Sequence, residues 1–297
     1  MATTFTNQAT LSYNGSAVRS NIVVGAVESA LSIDKQSVAA DYSASEILTY
    51  VISIVNNGEN DADALTVTDD LGAYEFGGGT VRPLSYVADT LQYYLDGELQ
   101  PASALTVTDA GDLVISGVSV PASGNTVLVY SAQVNEFAPL DSAATVTNTA
   151  VLSGDGVCSA EAEETLPAAV EPELSLLKAV TPVPVAENGE LTYTFTLLNS
   201  GNTAVTAEDN AAVSDTFSPV LTDISVSMNG VQMTQGTDYT YDEATGVFET
   251  AAGVLSIPAA EFTQDPATGE WTAAPGTTEL TVTGRVGTVC DITTERQ

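Results

Sequence analysis

At 297 residues the chain has length for about two domains, each able to bury a core without metal or disulfide help. Six Lys plus Arg stand against 39 Asp plus Glu, a net charge of −33, which argues against nucleic acid and against an anionic membrane surface as partners. Histidine is absent, which removes Ser-His and Cys-His catalysis and histidine metal sites and leaves an enzyme only carboxylate, Tyr or Lys chemistry.

The opening MATTF has neither the charged nor the apolar region of a signal peptide, and no apolar run approaches the ~18 residues of a membrane helix, so no membrane insertion is expected. The chain begins instead with a copy of its own middle. TFTNQATLSYNG (4–15) recurs as TVTNTAVLSGDG (145–156), so that Asn7 matches Asn148 and Gly15 matches Gly156. The next segment, LSIDKQSVAADYSASEILTYVISIVNNG (31–58), recurs as LSLLKAVTPVPVAENGELTYTFTLLNSG (174–201), including Lys35 and Lys178. LTVTDDL (65–71) then corresponds to AAVSDTF (211–217), aligning Asp69 with Asp215. Hairpin signals follow in both repeats, at Asp96-Gly97 and at Asn229-Gly230.

Runs such as LTVTD, LTYTFTL and ELTVTGRV alternate with a period of two, and no apolar stripe at helical spacing is sustained. The expected fold is all-β, two tandem β-sandwiches. Val134 precedes Asn148 by fourteen residues, whereas the counterpart fourteen beyond Val286 would fall past Gln297, so the second sandwich is expected to lack its final two strands. Residues 1–28 are read as those strands, carried by the following molecule, with the first sandwich at 29–170 and the second, an acceptor, at 171–297. The spacing supports this, since Asn7 lies 28 residues before Lys35 and Asn148 lies 30 before Lys178. Donation between copies is heterologous and propagates, so the expected partner is the chain itself, as a head-to-tail homopolymer.

Lys35 and Lys178 are the only lysines, and they hold the same place in the two repeats. A lysine buried on a strand loses its proton and becomes a nucleophile, a neighbouring Asn carboxamide is an electrophile, and a buried acid can shuttle the protons as ammonia leaves. At this point the sequence resembles the repeats of bacterial surface proteins grouped as domain of unknown function eleven: a first strand with Lys, the Y-x-(I/F)-x-(I/L)-x-N-x-G strand and turn, a V-x-D-x-(L/F) strand and a closing T-N-x-A strand. Such repeats are similar to the isopeptide-bonded modules of Gram-positive adhesins and pili. The resemblance implies immunoglobulin-like sandwiches, a place outside a bacterial cell or spore, and two cross-links. Lys35 would join Asn148 with Asp69 as the proton shuttle, and Lys178 would join Asn7 of the next subunit with Asp215 in that role. Asp70 is an alternative to Asp69, and strand-end capping is an alternative role for either acid.

The fibre topology brings the pole bearing Cys290 to the pole bearing Cys158 of the next copy, a candidate disulfide between subunits. No metal or cofactor is expected, although the acidic stretch NDADALTVTDD leaves calcium as an alternative. The rival functions are an adhesin, for which the single Trp271 is a thin platform, and a carboxylate hydrolase.

Overall fold

The computed structural model describes residues 2–288 and is built of antiparallel strands, with two short 3-10 turns at Ala102–Ala104 and Ala207–Asp209 and no α-helix among the described residues. The chain divides into two compact units. One comprises the chain to Pro139 with Thr145–Pro167 and Ala267–Gly269, and the other Leu140–Ala144 with the rest from Ala168 onward.

Each unit is a sandwich of two sheets. In the first unit, one sheet runs Glu98–Gln100, Gln92–Leu95, Asn125–Val134, Ile47–Asn56, Leu31–Ser37, and Leu84–Tyr86 also pairs with Asn125–Val134. The facing sheet runs Thr106–Thr108, Leu113–Val120, Ala62–Asp69, Thr145–Ser153, Ala160–Pro167. The period-two pattern decides what lies between them: Leu48, Tyr50, Ile52 and Ile54 from one side meet Leu65, Val67, Val146 and Leu152 from the other, all buried. The final pair, Thr145–Ser153 with Ala160–Pro167, is a closing hairpin whose outer strand also lies alongside Leu31–Ser37.

The second unit repeats the five-strand path of the first sheet, as Val231–Gln232, Leu221–Met228, Gly276–Val286, Glu190–Asn199, Leu174–Thr181. The two-residue turns Asp96-Gly97 and Asn229-Gly230 close equivalent hairpins with positive φ at both residues, as this turn type requires. Its facing sheet has three strands, Tyr239–Asp242, Val247–Thr250, Ser214–Thr216, and among the described residues nothing pairs with the outer edge of Ser214–Thr216. That edge is where the first unit attaches its closing hairpin. The consequence shows on Leu174–Thr181, exposed at every position, whereas its counterpart Leu31–Ser37 buries Leu31 and Lys35.

Residues 2–28 form a ribbon of their own. Ala2–Asn7 pairs with Val23–Glu28 and Thr10–Tyr13 with Ser16–Arg19, turning at Asn14-Gly15. Among the described residues the strands of this ribbon pair only with one another. Phe5 (53%), Leu11 (71%), Val18 (66%) and Val23 (53%) are consequently exposed. A two-stranded ribbon is marginal in water without an apolar surface to lie on.

Candidate functional site

Alternation turns Lys35 inward from Leu31–Ser37, and only 2% of it is exposed. Burying a lone ammonium is costly, so its neighbours matter. Asp69, the last inward residue of Ala62–Asp69 and itself fully buried, accepts a hydrogen bond at Oδ2 from Lys35 Nζ at 2.7 Å. The Tyr50 ring centroid lies 5.1 Å from the same nitrogen. The Tyr130 hydroxyl donates to Asp69 Oδ2 at 2.5 Å, and the Leu71 N–H donates to Oδ1 at 3.0 Å. Asn148, inward and fully buried on the first closing strand, donates from Nδ2 to the Tyr130 oxygen at 3.4 Å. Its Oδ1 accepts from the Gly72 N–H at 3.2 Å.

Lys35, Asp69 and Asn148 therefore meet in one buried cluster. Burial pushes the Lys35 ammonium below its ordinary value of 10.5, with Asp69 pulling the other way. Burial pushes both phenols up, and the Asp69 charge adds to the rise of each. The Tyr50 hydroxyl has no hydrogen-bond partner of ordinary geometry, although the Asn148 side chain counters part of its upward shift. An amine with a weakened hold on its proton, an acid in contact with it and a carboxamide with a polarised carbonyl are the parts of amine attack on an amide.

The adjacent acid has a different job. Asp70 Oδ1 accepts from the Gly72 and Thr149 N–H groups, each at 2.9 Å, tying the turn after Ala62–Asp69 to the closing strand. It makes no hydrogen bond to Lys35. Tyr50, Tyr130 and the Gly72 N–H belong to the site and are not among the residues expected from the sequence.

The second lysine site has the same first two members in the open. Lys178 Nζ is hydrogen-bonded to Asp215 Oδ2, and its ammonium faces the rings of Tyr193, Phe195 and Phe217, with centroids at 4.6, 5.4 and 5.5 Å. The Lys178 side chain is 40% exposed. An open groove of about 480 Å³ lies along this edge, lined by Ser214, Asp215, Thr216, Val247, Phe248 and Glu249. Register gives one further difference: Tyr130 stands opposite Tyr50, but Val282 stands opposite the equivalent Tyr193. Asn7 lies on the exposed ribbon at the position matching Asn148. Cys158 is exposed, and Cys290 lies outside the described residues.

No protein-family model matches the sequence, and no curated protein matches it. The resemblance to the repeats of unknown function thus rests on its motif residues. Among solved structures, the chain is similar to the pilus backbone RrgB of Streptococcus pneumoniae at 12% identity and a TM-score of 0.34, covering 82% of this chain and 55% of that one. It is similar to BcpA, the major pilin subunit of Bacillus cereus, at 13% and 0.36, covering 84% and 66%. The collagen-binding domain of a Staphylococcus aureus adhesin is similar at 11% and 0.30, covering 46% of this chain and 96% of that domain. The chain thus spans 55% and 66% of the two pilins' lengths. At these scores the neighbours carry no argument, and the reading below rests on this chain's own strands.

Proposed function

We propose that the protein is a structural, non-enzymatic subunit of a linear fibre displayed outside a bacterial cell or spore, in which the ribbon of one copy completes the second sandwich of the next. The reading rests on one observation: the second unit offers an open strand edge where the first unit holds its closing hairpin, and the chain carries an unpartnered hairpin of the same sequence pattern. In the first unit Ala150 pairs with Asp69. By the same register Ala9 would pair with Asp215, Leu11 would enter the groove and Asn7 would face Lys178. The contact is heterologous, so it extends into a fibre and does not close on itself.

Within such a fibre Lys35 joins Asn148 inside each copy, and Lys178 joins Asn7 between copies, each bond releasing one ammonia. A Cys158–Cys290 disulfide is a further tie at the same junction. Electron microscopy of the purified chain is expected to show filaments, and denaturing electrophoresis after boiling with reductant a ladder that Lys178→Ala or Asn7→Ala collapses to monomer. A monodisperse monomer at high concentration, or ordered filaments from a chain lacking residues 2–26, overturns the proposal.

A further inference from the structure

The geometry points to Tyr130 as a catalytic proton relay of the first lysine site, standing between Asp69 and the amide nitrogen that must leave Asn148. The inference rests on the isopeptide reading above and adds a residue to it. Its basis is a continuous buried run of contacts: Lys35 Nζ to Asp69 Oδ2 at 2.7 Å, the Tyr130 hydroxyl to that oxygen at 2.5 Å, and Asn148 Nδ2 to the Tyr130 oxygen at 3.4 Å. Asp69 hydrogen-bonds the lysine, the phenol and the Leu71 N–H, and it reaches the carboxamide only through Tyr130. An acid meant to protonate the leaving nitrogen is therefore one phenol short of it.

The phenol fits a relay and not a proton store. Burial pushes its own ionisation up, so it passes a proton on only while receiving one. In the balanced sequence, the Lys35 ammonium gives a proton to the Asp69 carboxylate, and the freed amine attacks Asn148 Cγ. The new C–N bond places negative charge on Oδ1, where the Gly72 N–H, shared with Asp70, stabilises it. Tyr130 then donates its proton to Nδ2 while the protonated Asp69 donates to Tyr130. The Asp69 carboxylate takes the surplus proton from the attacking nitrogen, the Cγ–Nδ2 bond breaks, and ammonia leaves. It departs as ammonium after accepting that last proton, which returns Asp69 to its starting charge.

The second unit contains its own control, because Val282 occupies the place of Tyr130. The test uses the full chain with Tyr130→Phe and, as a second variant should that one not fold, Tyr130→Val, the residue the second unit accepts there. Intact mass and peptide mapping follow the loss of one ammonia from the first unit during incubation, and circular dichroism melting checks folding. The relay predicts that wild type is linked at harvest, that the folded variant links on the order of 10²-fold more slowly, and that the ladder between copies is unchanged. Tyr86→Phe, which removes a hydroxyl from a ring tilted against Tyr130 but outside the site, is expected to stay linked. Full linkage of the folded Tyr130 variant at harvest, or equal slowing by Tyr86→Phe, overturns the relay. A first unit that is unlinked in wild type removes the isopeptide reading itself, a separate outcome.

Discussion

Lys35 and Lys178 sit in the same place in their repeats and differ in the water around them. Lys35 is 2% exposed, the Lys178 side chain 40%. Desolvation is what weakens an ammonium's hold on its proton, and Lys35 has it; in the proposed fibre a donor strand would bring comparable cover to Lys178. The effect on Lys35 can be measured where no bond forms. In an Asn148→Ala background the folded state holds the lysine proton less tightly than the unfolded state, whose value is 10.5. The unfolded chain therefore binds more protons in the interval below 10.5, and stability rises with pH through it. Adding Lys35→Met should flatten that slope, measured by urea titration across the alkaline range, and parallel curves would contradict the burial argument. The lysines were legible in the sequence because they are sparse and matched between repeats, and Asn148 and Asp69 because they fill the closing T-N-x-A and V-x-D strands of the resemblance. Choosing Asp69 over Asp70 needed the alternation Leu65, Val67, Asp69 seen in place. Tyr130 was not legible, since a tyrosine in TVLVYSAQV reads as core, and the Gly72 N–H leaves no mark on any side chain.

The ribbon of residues 2–28, the proposed donor, is the element whose apolar side chains lie exposed. Its pairing departs from the closing hairpin in one respect: Asn7 faces Val23 but Thr10 faces Arg19, a one-residue shift bridged where Ser20 Oγ accepts from the Ala9 N–H at 2.9 Å. Thr145–Ser153 pairs with Ala160–Pro167 without such a shift. The ribbon's first strand was readable from its match to 145–156, whereas this bulge was not, because it is set by how two backbones meet. Across the ribbon Phe5 covers Gly25 so closely that a Cβ there would lie 2.4 Å from the ring. Because Leu11 is exposed in the free chain and would be buried in the groove, Leu11→Asp should leave the melting temperature of the monomer unchanged. It should weaken assembly by at least about 2 kcal/mol, the loss of one buried leucine. Sedimentation across a concentration series reads this directly, and an unchanged assembly threshold would place Leu11 outside the interface.

At the scale of the whole molecule, the two proposed cross-links would decide which residues carry tension along the proposed fibre. Force entering at Asn7 would run along the chain to Lys35, cross to Asn148, continue to Lys178 and pass into the next copy. Only the 28 residues from Asn7 to Lys35 and the 30 from Asn148 to Lys178 lie on that path. The strands between Lys35 and Asn148 are spanned by a single side-chain bridge, and those after Lys178 hang from it, so unfolding either sandwich adds no length. Lys35→Ala removes the bridge and returns the 113-residue interval to the path. Pulled singly, cross-linked fibres should then extend in steps of roughly 370–410 Å of contour per copy, less the folded span, at up to 3.3–3.6 Å per residue, while wild-type fibres show no such step. Steps of that size in wild type would mean that tension does pass through the first sandwich, and that its lysine bridge is not closed.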